Sequence, residues 1–162
     1  MAKGIREVEL YFFRHGDAEA AAATGDADRQ LTERGRRETL AVALALHRAG
    51  LRPEAIISSP LLRARQTAEI LQEVFALPAQ ADRRLSPGCS LGAIQELASH
   101  HPLGHSLLVG HEPDLGRIVG QLLGGAHVSM AKSGVARVDA DRVEPGTGVL
   151  VWLLSPELLA ER

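Results

Sequence analysis

Apolar positions along this chain follow two rhythms. Residues 7–13, EVELYFF, become a nearly unbroken apolar run that stops at Arg14-His15-Gly16. A run of that length, bounded by glycine, predicts a strand buried on both faces. Shorter apolar runs at Ala55-Ile56-Ile57 and Ser106-Leu107-Leu108-Val109 predict two further strands, and Gly134–Val138 and Thr147–Leu154 predict two more around a Pro145-Gly146 turn. Between the strands the spacing changes to that of helices. Leu40, Ala43, Leu44 and Leu46 turn one face of a helix over 32–49 towards a core, with Thr32 as N-cap and Gly50 just past its end. Leu61, Ala64, Ala68 and Leu71 do the same for a helix over 60–75, with Pro60 in its first turn. Short helices are expected over 91–100, over Pro113–Leu123 and after Pro156, whereas 17–31 and 76–90 are expected to be irregular.

The resulting order is strand, helix, strand, helix, helix, strand, helix, strand, strand. Strands alternating with helices predict an α/β fold, a three-layer α/β/α sandwich whose mostly parallel sheet has an antiparallel edge. The 162 residues suit a single domain over 1–162, with no repeat and no linker.

Composition changes this picture little. Eighteen basic and 20 acidic residues leave a net charge of −2, which gives no electrostatic reason to expect nucleic acid or an anionic membrane as partner. The one cysteine, Cys89, rules out an internal disulfide and fits a cytoplasmic location. MAKGIREVEL leads into no signal-peptide core, and no apolar run is long enough to span a bilayer.

Candidate chemistry sits at strand ends. In open α/β sheets the ligand crevice lies beyond the carboxyl ends of the strands. Here one strand runs into Arg14-His15-Gly16, one into Ser58-Ser59-Pro60 with Arg63 a turn further on, and one into Gly110-His111-Glu112. Taken singly, each piece has a plainer reading: a strand exit, a solvated helix arginine, a satisfied core histidine. If the three strands are parallel, however, two arginines and two histidines converge. Arginine offers a donor fork that matches phosphate oxygens, histidine can carry a phosphoryl group, and helix N-termini add partial positive charge. Metal binding is not expected. His100, His101, His105 and His111 lie close in sequence, but only His111 ends a strand, and no cysteine or carboxylate completes a ligand spacing. Cys89 is read as packing, and Lys132 as a loop-solubilising lysine, with reach to the pocket rim as the alternative.

The segments FFRHGDAE (12–19), LTERG (31–35), SSPLLRARQTAEIL (58–71) and LLVGHEPDLG (107–116) resemble, in order, those of the histidine phosphatase, or phosphoglycerate mutase-like, superfamily, and within it the SixA-like phosphohistidine phosphatases. The resemblance implies that His15 is the nucleophile and that Arg14, Arg63 and His111 hold the phosphate, with no cofactor. Gly16 is then expected to let the backbone pass close to the phosphate, and Thr32 and Gly35 to start the first helix. Many members of the superfamily carry a carboxylate after the second helix that protonates the leaving oxygen. Here that region reads Asp82-Arg83-Arg84-Leu85-Ser86-Pro87, and no acid falls in the expected place; Asp17 and Glu19 are the substitute proton donors. A departure of this kind matters less for phosphohistidine, whose imidazole leaves more easily than an alkoxide. The short stretch between the Arg63 helix and the next strand implies an open pocket. The expected substrate is therefore a phosphorylated protein carrying phosphohistidine. The alternatives are a phosphatase of small phosphate esters and a non-catalytic phosphoprotein-binding module.

Overall fold

The computed structural model describes residues 7–159; of MAKGIREVEL, where no signal-peptide core is expected, residues 1–6 lie outside them. Six strands form one sheet: β1 (Val8–Arg14), β2 (Ala55–Ser58), β3 (Ala79–Ala81), β4 (His105–Gly110), β5 (Val135–Ala140) and β6 (Gly148–Leu154), in the order β3-β2-β4-β1-β5-β6. β3, β2, β4 and β1 run parallel to one another, and β5 and β6 continue the sheet antiparallel, which is the expected architecture.

The sheet is covered on both faces. Leu10 and Phe12 of β1, with Ile57, Leu108 and Ala136, pack against α3 (Leu91–His100) and α4 (Asp114–Leu122). Tyr11 and Phe13, with Ile56, Leu107, Val109 and Val135, pack against α1 (Glu33–Arg48) and α2 (Leu62–Phe75). Alternate side chains of a strand point to opposite faces, so a central strand with helices on both sides must be apolar at every position. That is why three aromatic residues stand in a row. Each buried ring contributes on the order of 1.5–3 kcal/mol of transfer free energy, enough in sum to fix the register of the strand that carries Arg14 and His15.

Three expectations are corrected. Residues 79–81 form the edge strand β3, although AQA is only three residues long and has no β-branched or large apolar side chain; pairing with Ile56–Ser58 of β2 orders it. Pro60 precedes α2 instead of opening it, since Leu61 is the N-cap. Leu40 is exposed, and the core face of α1 is carried by Thr39, Val42, Ala43 and Leu46.

Candidate active site

Register brings the three strand exits together. Arg14 of β1 pairs with Gly110 of β4, and Val109 of β4 with Ser58 of β2. The ladder then continues one residue beyond each outer strand: His15 N–H donates to the Gly110 carbonyl at 3.0 Å, and Ser59 N–H to the Val109 carbonyl at 2.9 Å. His15 and His111 are thereby held side by side, ring centroids 5.1 Å apart, and both are buried. From the first turn of α2, Arg63, with only 4% of its surface exposed, points its Nε–H at His15 Nε2 from 3.3 Å.

The proton on the His15 imidazole follows from its partner. His15 Nδ1 lies 2.8 Å from the Gly16 carbonyl, which can only accept, so Nδ1 carries the proton and Nε2 a lone pair. His111 Nε2 lies 2.7 Å from Ser59 Oγ, and Ser59 Oγ already accepts from Leu61 N–H at 3.3 Å. A hydroxyl has one proton and two lone pairs, so Ser59 Oγ can pair with Nε2 in either tautomer, and His111 Nδ1 is buried without a protein partner. Burial, reinforced by the guanidiniums of Arg63, Arg14 and Arg29, pulls the His15 imidazole down to about 4. Burial, then the charges of His15 and Arg63, brings His111 to about 3. Both rings are neutral at physiological pH.

A cavity of about 250 Å³ opens over these groups, lined by Arg14, His15, Arg29, Arg63, His111 and Lys132, with Glu112 at its wall. Larger hollows of about 520 and 320 Å³ exist elsewhere on the surface, but neither gathers these cations around an unprotonated nitrogen. Arg14 is anchored by its Nη1, which donates to the Met130 carbonyl at 2.8 Å, and its Nε is buried without a partner. The unpartnered Arg14 Nε–H and His111 Nδ1, buried beside a cationic cavity, suit an oxyanion. Among the described residues, no group of three or more histidine, cysteine or carboxylate side chains is placed to hold a metal ion.

Arg14, His15, Arg63 and His111 are all brought together. The three remaining candidates do not line the cavity. Gly16 N–H donates to Thr67 Oγ1 at 3.0 Å, and the residue is confined by Thr39 Oγ1, the Gly35 carbonyl and Ser133 Oγ, 2.8–3.0 Å from where a Cβ would stand. Its glycine serves close packing behind His15, not approach to phosphate. Asp17 lies outside the cavity lining. Its carboxylate accepts from Lys132 Nζ at 2.7 Å and from Thr32 Oγ1 at 2.8 Å, bonds that hold it below the usual carboxylate range and unsuited to donate a proton. Glu19 is exposed and also outside the lining.

Several contributors carry no sequence signal of their own. Arg29 and Asp26 come from the polar 17–31 loop, and Ser59 stands among the strand-exit residues Ser58-Ser59-Pro60. Of the two readings of Lys132, a solubilising loop lysine or one that reaches the pocket rim, the second holds: it lines the cavity. Glu112 accepts from Gly116 N–H at 2.6 Å and faces Met130 N–H at 3.4 Å, tying the start of α4 to the segment that anchors Arg14.

The parallel core and the anion cavity at its carboxyl edge define the class: an α/β protein built to hold a phosphate-like group against a neutral histidine. The model of the Histidine phosphatase superfamily (branch 1) matches residues 10–87. An uncharacterized protein of Picosynechococcus sp. is 42% identical over 94% of this chain and 99% of its own. Phosphohistidine phosphatase SixA of Escherichia coli is 31% identical over 92% of this chain and 94% of its own. A solved structure of the protein histidine phosphatase SixA complexed with tungstate superposes with a TM-score of 0.84 at 31% identity, covering 94% of this chain and all of that one. The chain belongs to the histidine phosphatase superfamily and is SixA-like, with the phosphoglycerate mutase-like fold.

Proposed function

We propose that this protein is a phosphatase that removes the phosphoryl group from phosphohistidine on a protein, through a phosphohistidine formed on its own His15. The observation that carries the reading is the His15 tautomer: Nδ1–H is fixed on the Gly16 carbonyl, and the Nε2 lone pair faces Arg63 at the cavity floor. In the first step Nε2 forms a bond to phosphorus while the P–N bond of the substrate breaks. Its electron pair returns to the substrate imidazole, which leaves neutral when its far nitrogen is protonated. As Nε2 engages phosphorus, Arg63 Nε–H loses its acceptor and turns to a phosphoryl oxygen. His111, Arg14, Arg29 and Lys132 meet the remaining charge, as a loose transition state requires. In the second step water adds to phosphorus, the P–Nε2 bond breaks, and inorganic phosphate leaves.

Phosphohistidine fits better than an alkyl ester because neither Asp17 nor Glu19 reaches the cavity, and the carboxylate at its wall, Glu112, is occupied by Gly116 and Met130 N–H. General acid catalysis is worth about 10²–10⁴-fold, and an alkoxide needs that help more than an imidazole does. That the E. coli relative is a phosphohistidine phosphatase and that SixA was solved with tungstate, a tetrahedral oxyanion, support the same reading. The test compares phosphate release from a histidine-phosphorylated protein with release from sugar phosphates. We expect faster release from phosphohistidine and an acid-labile phosphoryl group trapped on His15. His15→Ala should abolish both. Faster turnover of sugar phosphates, or undiminished hydrolysis by His15→Ala, would overturn the proposal.

A further inference from the structure

The loop that follows β1 contributes more than Arg29. Its 3₁₀ turn, Asp26–Asp28, places Asp26 against the outer end of Arg63. Arg63 Nη1 donates to the Asp26 main-chain carbonyl at 2.9 Å and Nη2 to Asp26 Oδ2 at 3.2 Å, while Nε is left to His15. The other carboxylate oxygen, Oδ1, accepts from Arg29 Nε at 2.9 Å, and Arg29 Nη1 is held in turn by the Glu19 carbonyl at 3.0 Å. One carboxylate thus joins two guanidiniums of the cavity. Asp26 itself is 65% exposed and does not line the cavity, whereas the Arg63 side chain is 5% exposed.

We infer that Asp26 is a positioning residue: it grips the terminal nitrogens of Arg63 so that the Nε–H edge faces His15 Nε2 and the phosphoryl oxygens, and it sets Arg29 beside the same anion. The inference rests on the phosphatase reading above and adds a residue to it. An arginine has four rotatable bonds, and their freedom must be lost for its fork to work; holding the far end beforehand removes that cost from the reaction. The contact is not an ordinary surface ion pair, because one partner is buried and the grip uses both main-chain and side-chain oxygens. It also opposes simple electrostatics. A carboxylate near a phosphate site repels the ligand, so a residue present only as background charge would make the enzyme better when neutralised. A residue that positions Arg63 would make it worse.

That difference in sign is the test. Asp26→Asn and Asp26→Glu are compared with the unaltered protein using p-nitrophenyl phosphate turnover, inorganic phosphate titration, and the nitrogen-15 resonance of Arg63 Nε–H. For Asp26→Asn we expect kcat/KM to fall about tenfold, equivalent to about 1.4 kcal/mol, with most of the loss in kcat. Phosphate affinity should be no tighter, and the Arg63 Nε–H signal should broaden into solvent exchange. Asp26→Glu, which keeps an acceptor within reach, should recover part of the loss. A kcat/KM at or above that of the unaltered protein, or an Arg63 Nε–H signal equally sharp in Asp26→Asn, overturns the inference. The phosphatase reading fails separately, when the unaltered protein turns over no phosphoryl substrate; the resonance then still decides the positioning role.

Discussion

The chemistry of His15 is decided by two atoms that are not side chains. The Gly16 carbonyl fixes the ring proton on Nδ1, and the Gly110 carbonyl, through His15 N–H, fixes the backbone that carries the ring. With the ring lowered to about 4, the free protein keeps the His15 imidazole, the nucleophile of the proposal, neutral from mildly acidic pH upward. The sign is clear: a depressed imidazole pKa leaves Nε2 unprotonated until the pH drops through about 4. We therefore expect kcat/KM for an aryl phosphate to hold its value through pH 6.5, once corrected for the ionisation of the substrate itself near about 6, and to decline only as pH approaches 4. An acid limb at 6.5 in that profile would mean that His15 is not desolvated as the structure has it. At this scale the sequence was informative about residues at strand ends, where an abrupt change from apolar to ionisable marks Arg14, His15 and His111. It was uninformative about Asp26 and Arg29. Their neighbours are small and polar, and their partners, Arg63 and the Glu19 carbonyl, are set by tertiary contact, not by spacing.

At the scale of elements, the start of α1 shows how a helix can serve a site it never touches. Thr32 Oγ1 accepts from Gly35 N–H at 3.0 Å as an N-cap and also donates to the Asp17 carboxylate. Gly35 lies directly on the backbone of Asp17: an added Cβ would overlap the Asp17 carbonyl oxygen and stand 2.8 Å from its nitrogen. Gly16 fits into the same contact, against the Gly35 carbonyl. Gly35→Ala must therefore push the helix away from the segment that follows His15. Overpacking of this kind costs about 1–3 kcal/mol, and removing a threonine cap costs about 1 kcal/mol. In urea denaturation we expect Gly35→Ala to be the more destabilising of Gly35→Ala and Thr32→Ala, and only Gly35→Ala to lower kcat; the reverse ranking would disprove the packing argument. LTERG was readable as a helix start because caps are local chemistry. The strand β3 was not, because AQA acquires its conformation from β2, and Leu40 was assigned to the core because helical spacing alone does not say where a face ends.

For the whole molecule, a net charge of −2 conceals a cavity into which three arginines and a lysine are directed. Composition averages over the surface, whereas folding concentrates like charges at one edge of the sheet, so the site is built against local repulsion and against the desolvation of two histidines. This leaves a mark on stability. In the unfolded chain His15 and His111 take up protons near the ordinary histidine value of 6.5; in the folded protein they do so only near about 4 and about 3. Between those limits the unfolded state binds more protons, so stability present above pH 6.5 is lost as the pH falls. The loss is about 1–2 kcal/mol for each histidine on going from pH 6.5 to 5. Other groups also titrate in acid, so the measurement is a difference: the change in unfolding free energy between pH 6.5 and 5 should be smaller in the double variant His15→Gln/His111→Gln than in the unaltered protein. Equal changes would show that these two rings do not carry the coupling. Inorganic phosphate adds a second arm. An anion that satisfies Arg14 Nε and His111 Nδ1 binds only the folded state, and at a hundred times its Kd it should stabilise the protein by about 2.7 kcal/mol.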